Sequence, residues 1–208
     1  MLDKKIVIID YGVGNLLSLS RAIEQLGENV IITKNKNVIL SATHIILPGV
    51  GAFPEAMSKI KKYKLIQILN AAKKKNIFIL GICLGMQILM NVGYEFKKTR
   101  GLGLIEGSVL SISKLVRTNQ VKLPNIGWYP IVKKKNKILK NIKIKDSFYF
   151  LHSYMVSIKK NNLLAYYLLN KKKIPAIINK YNIYGCQFHP EKSGQNGLKF
   201  LGNFINLA

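Results

Sequence analysis

Apolar residues arrive along this chain in two rhythms, and their alternation predicts an α/β fold. Ile6-Val7-Ile8-Ile9 is a continuous apolar run of the kind a central parallel strand, buried on both faces, requires. Val30-Ile31-Ile32-Thr33, His44-Ile45-Ile46-Leu47 and Ile77-Phe78-Ile79-Leu80 repeat it. Between the first two runs, Leu16, Leu19, Ala22, Ile23 and Leu26 fall at helical spacing, and Gly27 supplies a stop. Helical patterns return from Glu55 and over Tyr63 to Lys75, and Met86-Gln87-Ile88-Leu89-Met90 reads as a helix behind the fourth strand. Strand and helix alternate, which predicts a mostly parallel central sheet with flanking helices.

Beyond Gly93 the rhythm changes. Glu95 to Gly103 is loop-like, and Leu104 to Ile112 reads as β structure with no intervening helix, so antiparallel pairing is expected. Pro124-Asn125-Ile126-Gly127-Trp128-Tyr129-Pro130 reads as a turn whose tryptophan, the only one in the chain, is expected in the core. The basic stretch Lys133 to Lys145 is expected at the surface. Ser147 to Val156 is strongly β-prone, with Leu164 to Leu169 as its expected partner. Ala176 to Asn179 and Ile183 to Phe188 read as a hairpin through Lys180-Tyr181-Asn182, and Gly197 to Ile205 as an amphipathic helix covering the sheet. The expected architecture is α/β with an added antiparallel β portion, in a single domain spanning 1–208.

Composition narrows the setting. With 208 residues, 49% of them hydrophobic, the chain can bury the core of one domain. No apolar run reaches membrane-spanning length, and Asp3-Lys4-Lys5 stands directly before a strand rather than before a signal-peptide core. Two cysteines, Cys83 and Cys186, make no disulfide framework and fit a reducing, cytoplasmic compartment. The net charge of +24 raises nucleic acid, a membrane surface or an anionic partner. However, the lysines are spread in short runs, Lys73-Lys74-Lys75, Lys133-Lys134-Lys135 and Lys171-Lys172-Lys173, at expected element boundaries. They read as solvated faces, so neither nucleic acid nor membrane is expected; a basic nucleic-acid-binding protein remains the alternative of another class, with salt-sensitive binding as its mark. Gly12-x-Gly14 has Leu17 where a dinucleotide fingerprint needs its third glycine, so no cofactor is expected.

The candidate chemistry centres on Gly81-Ile82-Cys83-Leu84-Gly85. Glycines two before and two after a nucleophile, between a strand and a helix, are the spacing of a nucleophile elbow, and here the nucleophile is a thiol. Gly49 and Gly51 flank Val50 in a loop after the third strand, where free backbone amides suit an oxyanion hole. In an open parallel sheet this loop and Cys83 both stand beyond the strands' carboxyl ends. The last hairpin runs into His189-Pro190-Glu191, in which Glu191 can orient the imidazole and leave its other nitrogen for a thiol. Strand alternation puts Cys186 on the face opposite His189, against a zinc site, so no metal is expected. His152 suits either chemistry or a strand end, and Ser153 and Tyr154 offer polar groups to a small polar substrate.

Gly81 to Gln87 and Phe188-His189-Pro190-Glu191 resemble the two signatures of the class I (triad) glutamine amidotransferases, in the order that family uses. Pro48-Gly49-Val50-Gly51, His152-Ser153-Tyr154 and Glu191-Lys192-Ser193-Gly194 narrow the likeness to the glutaminase subunits of imidazole glycerol phosphate synthases. The resemblance implies a Cys83, His189 and Glu191 triad that releases ammonia from glutamine. It also implies oxyanion donors from Leu84 and from the Gly49, Val50 and Gly51 loop, with Gln87, His152, Ser153 and Tyr154 as candidates for contacting substrate. It further implies a heterodimer with a (β/α)8-barrel synthase subunit that receives the ammonia. Members usually carry Pro-His-Met-Gly-Trp-Asn where this chain has Pro124-Asn125-Ile126-Gly127-Trp128-Tyr129, on the partner side. The departure leaves open another acceptor, such as an amidotransferase for surface-polysaccharide sugars.

Overall fold

The four apolar runs form the strands β1 (Ile6–Ile9), β2 (Val30–Thr33), β3 (His44–Leu47) and β4 (Phe78–Ile82). The structure, a computed structural model, describes residues 4–116 and 122–207; Asp3 of the amino-terminal charged stretch lies outside them. Among these strands run α1 (Leu16–Glu24), α2 (Lys36–Leu40), α3 (Phe53–Lys62), α4 (Leu65–Lys74) and α5 (Leu84–Ile88). Asn15 starts α1, its side chain accepting from the Ser18 amide, and Asn35 starts α2 by accepting from Asn37 and Val38. The sequence pattern does not announce α2, because five residues hold too few apolar positions to show a helical period. Lys64, at a left-handed φ of 54°, separates α3 from α4.

The second half supplies β5 (Val92–Gly93), β6 (Thr99–Arg100), β7 (Gly107–Ser111), β8 (Asn125–Pro130), β9 (Val132–Lys133), β10 (Ser147–His152) and β11 (Tyr154–Ile158). The strands β12 (Leu163–Leu169), β13 (Lys172–Lys180) and β14 (Ile183–Cys186) follow, and α6 (Gly194–Ile205) closes the fold. The main sheet has the order β2-β1-β3-β4-β14-β13-β12-β9. It is parallel from β2 to β14 and antiparallel beyond. Alternation divides the core: Ile6, Ile8, Ile46 and Leu80 pack against α1 and α6, and Val7, Ile9, Ile45 and Ile79 against the helices of the other face. The register sets Leu47 beside Gly81 and Cys186 beside Ile82, so the chain segments after β3, β4 and β14 emerge side by side.

Four expectations are corrected. Residues 125–130 are not a turn but β8, paired antiparallel with β10. Their glycine and prolines resemble turn punctuation, yet Pro130 ends the strand, where a missing amide costs no ladder bond. Trp128 is 55% exposed rather than in the core, because alternation turns Ile126 and Trp128 outward and Asn125 inward. The stretch from Ser147 to Val156 is two strands in different sheets, with β10 on β8 and β11 on β7. Leu163–Leu169 pairs instead with β13 and β9. Asn170 and Lys171, both at positive φ, join β12 to β13 as a two-residue hairpin, and that local pairing outcompetes the distant one. Finally, the basic stretch after Lys133 is not all surface: Ile138, Leu139 and Ile142 are buried, with Asn203 of α6 donating to the carbonyls of Ile138 and Lys140.

Candidate active site

Cys83 stands on the turn between β4 and α5 with φ 54° and ψ −113°, a conformation that L side chains rarely adopt. Its amide donates to the Cys186 carbonyl at 2.7 Å, continuing the β4–β14 ladder to the elbow thiol. The flanking glycines are required by space. A Cβ on Gly85 would collide with the Leu47 carbonyl, and one on Gly81 would press on the backbone of Gly85 and Met86. The loop after β3 lies directly on this elbow, for a Cβ on Gly49 would come within 2.7 Å of the Gly85 nitrogen and 2.9 Å of the Leu84 Cβ. Buried Tyr11 anchors that loop by donating its hydroxyl to the Pro48 carbonyl at 2.6 Å.

His189 follows β14, held by its amide donating to the Tyr149 carbonyl at 3.0 Å. Ser193 clasps the same turn: its hydroxyl donates to the His189 carbonyl at 2.6 Å and accepts from the Tyr149 amide. The ring Nδ1 donates to Glu191 Oε1 at 2.9 Å, with both side chains 5% exposed. Burial alone would lower the imidazole, but hydrogen bonds and charge from Cys83 and Glu191 outweigh it and raise the group to about 10. The arrangement therefore favours imidazolium between a sulfur and a carboxylate.

These groups face a cavity of about 350 Å³ lined by Cys83, Leu84, Val50, Gly51, Gln87, His152, Ser153, Tyr154 and His189. Among the residues singled out from sequence, Gly49 and Glu191 stand elsewhere, in a narrow crevice behind the cavity that also reaches His189 and Val50. Gln87 Nε2 donates to the Tyr154 carbonyl and to Gln187 Oε1, each at 3.0 Å, and Gln187 Nε2 stands 3.7 Å from the Cys83 sulfur. His152 is spent inside the wall: Nδ1 donates to the Tyr154 carbonyl, Nε2 accepts from Tyr167, and burial holds it down at about 4. Cys186 is fully buried, and burial, reinforced by the charges of Glu191 and Cys83, pushes its thiol up.

Glu95 also lines the cavity, with one carboxylate oxygen accepting from the Phe53 amide at 2.7 Å. Sequence reading passes over it, because a loop position carries no periodicity. Its signal is scarcity, since the chain has 9 acidic residues against 33 basic ones. A second cavity, of about 500 Å³, opens at the opposite ends of the strands beside His44, Phe78 and Leu207, away from this chemistry. Among the described residues no group of three or more His, Cys, Asp or Glu side chains is placed to hold a metal, and no helix is long and apolar enough to cross a membrane.

Comparison with known proteins agrees over almost the whole chain. Residues 7–207 match the family model described as glutamine amidotransferase class-I. A relative from Lactococcus lactis subsp. lactis, named imidazole glycerol phosphate synthase subunit HisH, is 45% identical over 97% of this chain and 98% of its own length. One of the same name from Methanosarcina acetivorans is 43% identical, over 99% of this chain and all of its own. Among solved structures, PurLQS from Thermotoga maritima superposes with a TM-score of 0.73 at 19% identity, covering 99% of both chains, a likeness of fold. A full-length sequence match on this sheet thus joins the elbow and its neighbours to one lineage: the chain belongs to the class-I glutamine amidotransferase family and, within it, to the HisH subunits of imidazole glycerol phosphate synthase.

Proposed function

We propose that this chain is the glutaminase of an imidazole glycerol phosphate synthase in histidine biosynthesis, a single cytoplasmic domain that hydrolyses glutamine and passes ammonia to a (β/α)8-barrel subunit. The observation that carries the catalytic assignment is the His189 ring, bonded through Nδ1 to Glu191 and facing the same cavity as the Cys83 sulfur. The Cys83 sulfur attacks the side-chain carboxamide carbon of glutamine, and the C–N bond breaks as His189 gives its proton to the departing ammonia. The neutral imidazole then takes a proton from water, whose oxygen attacks the γ-glutamyl thioester; glutamate leaves, and the thiolate and imidazolium are restored. The Leu84 amide and an amide of the Gly49, Val50 and Gly51 loop hold the oxyanion, each such donor being worth about 3 kcal/mol. Glutamine also carries an ammonium, and Glu95 is the carboxylate in the cavity wall that would hold it. Gln87, Ser153 and Tyr154 shape the remaining contacts, with His152 behind them.

The barrel subunit docks on the outer face of β8 and β10, where Trp128 and Ile126 stand exposed and Trp128 meets Tyr149 edge to face. This face adjoins the cavity through Leu151 and Pro124. The test is treatment of the complex with an electrophilic glutamine analogue, followed by mapping of the adduct. A single label on Cys83 is expected, and its absence with the partner present overturns the assignment. Cys83→Ala should abolish glutamine-dependent synthesis while the partner still uses added ammonia. Transfer of labelled ammonia to a sugar instead would redirect the chemistry to the polysaccharide acceptor.

A further inference from the structure

The strand β8 has an inner face as distinct as its outer one. Tyr129 Oη donates to Asn125 Oδ1 at 2.8 Å, Asn125 Nδ2 donates to Tyr167 Oη at 3.1 Å, and Tyr167 Oη donates to His152 Nε2 at 2.9 Å. His152 Nδ1 then donates to the Tyr154 carbonyl at 2.7 Å. Each direction follows from the last acceptor. A carbonyl only accepts, so Nδ1 holds the ring proton and Nε2 must accept; Tyr167 spends its proton there, and its lone pair takes the Asn125 amide. Asn125 is then left with a carbonyl oxygen that calls for the Tyr129 hydroxyl. Asn125, Tyr167 and His152 are all buried, so a missing link would strand a polar group out of reach of water. The chain ends at the carbonyl that also receives Gln87, and through Gln87 and Gln187 it approaches Cys83.

Resting on the glutaminase reading above, we propose that Tyr129, Asn125, Tyr167 and His152 form a positioning relay, which fixes the Ser153 and Tyr154 edge of the glutamine pocket from the inner side of the partner-facing strand. These are positioning residues, acting through the Tyr154 carbonyl. The relay also explains the departures at Asn125 and Tyr129: both side chains point inward and bond each other, while the outward positions keep Trp128 and exchange one apolar residue, Met, for another, Ile126. They rewire the support of the pocket and leave the docking face apolar.

Tyr129→Phe and Tyr167→Phe each remove one hydroxyl and keep the ring. The measurement is labelling of Cys83 in the complex with the synthase subunit by an electrophilic glutamine analogue over a range of concentrations, yielding a half-saturating concentration and a limiting rate. Each substitution should raise the half-saturating concentration about fivefold and hold the limiting rate within about twofold. The double variant should be no worse than Tyr167→Phe alone, because links in series fail together. Unchanged half-saturation, a fall confined to the limiting rate, or additive effects would overturn the relay. Should Tyr167→Phe not fold, half-buried Tyr129→Phe decides alone. Wild-type protein that takes no label overturns the glutaminase reading and the relay with it, whereas label with unchanged half-saturation in the variants overturns only the relay.

Discussion

The backbone at Cys83 holds φ 54° and ψ −113°, and a residue with a side chain kept there costs on the order of 1–3 kcal/mol. The surroundings offset that cost: the Cys83 amide is bound to Cys186 and its carbonyl accepts from Met86 and Gln87. Facing it, His189 is raised to about 10 from an ordinary value near 6.5, so its pairing stabilises the folded chain fully below pH 6.5. Between 6.5 and 10 the unfolded chain has released that proton and the folded chain still holds it, so the stabilisation drains away as pH rises. Glu191→Gln removes part of the cause. Its unfolding free energy should fall short of wild type by about 1–3 kcal/mol below pH 6.5, and the gap should close toward pH 10. Denaturant titrations at a series of pH values check this; a gap independent of pH would mean that Glu191 does not charge the ring. The positions of Cys83 and His189 were legible because glycine spacing and a strand-ending proline say where the chain turns. Glu95, Tyr11 and Gln187 were not, because what matters at each is a partner far away in sequence.

At the level of elements, β1, β3 and β4 were legible from their apolar runs, since a strand buried on both faces has almost no alternative use for four such residues, whereas β2 carries the same kind of run at the sheet edge with Ile31 and Ile32 exposed. β8 was not. Its inward positions are polar or glycine and its outward ones apolar, the reverse of an ordinary surface strand, so alternation alone points the wrong way. What fixes its direction is the polar relay inside, visible only in three dimensions. Contact between elements also explains the elbow glycines. Gly85→Ala would thrust a methyl into the Leu47 carbonyl, prising the end of β3 away from the elbow. A loss of about 2–3 kcal/mol is expected in urea unfolding, with the same variant failing to take the glutamine analogue. Full stability would show that the two segments do not touch.

Across the whole molecule, exposed apolar side chains are scattered from Leu17 to Tyr181, and two of them, Ile126 and Trp128, stand together on the face that adjoins the cavity of Cys83. Ile126 and Trp128 form an aromatic and aliphatic edge of the kind that anchors an interface. Trp128→Asp should weaken association with the synthase subunit by at least about tenfold in a titration, while the melting temperature of the isolated chain stays unchanged; undiminished association would move the docking site elsewhere. The architecture also sorts the two thiols. Cys186 is sealed under α6, whereas Cys83 opens to solvent only through a cavity of about 350 Å³. To outside reagents the folded protein is thus a one-thiol molecule: an alkylating agent that enters the cavity meets the Cys83 sulfur and leaves Cys186 unmodified.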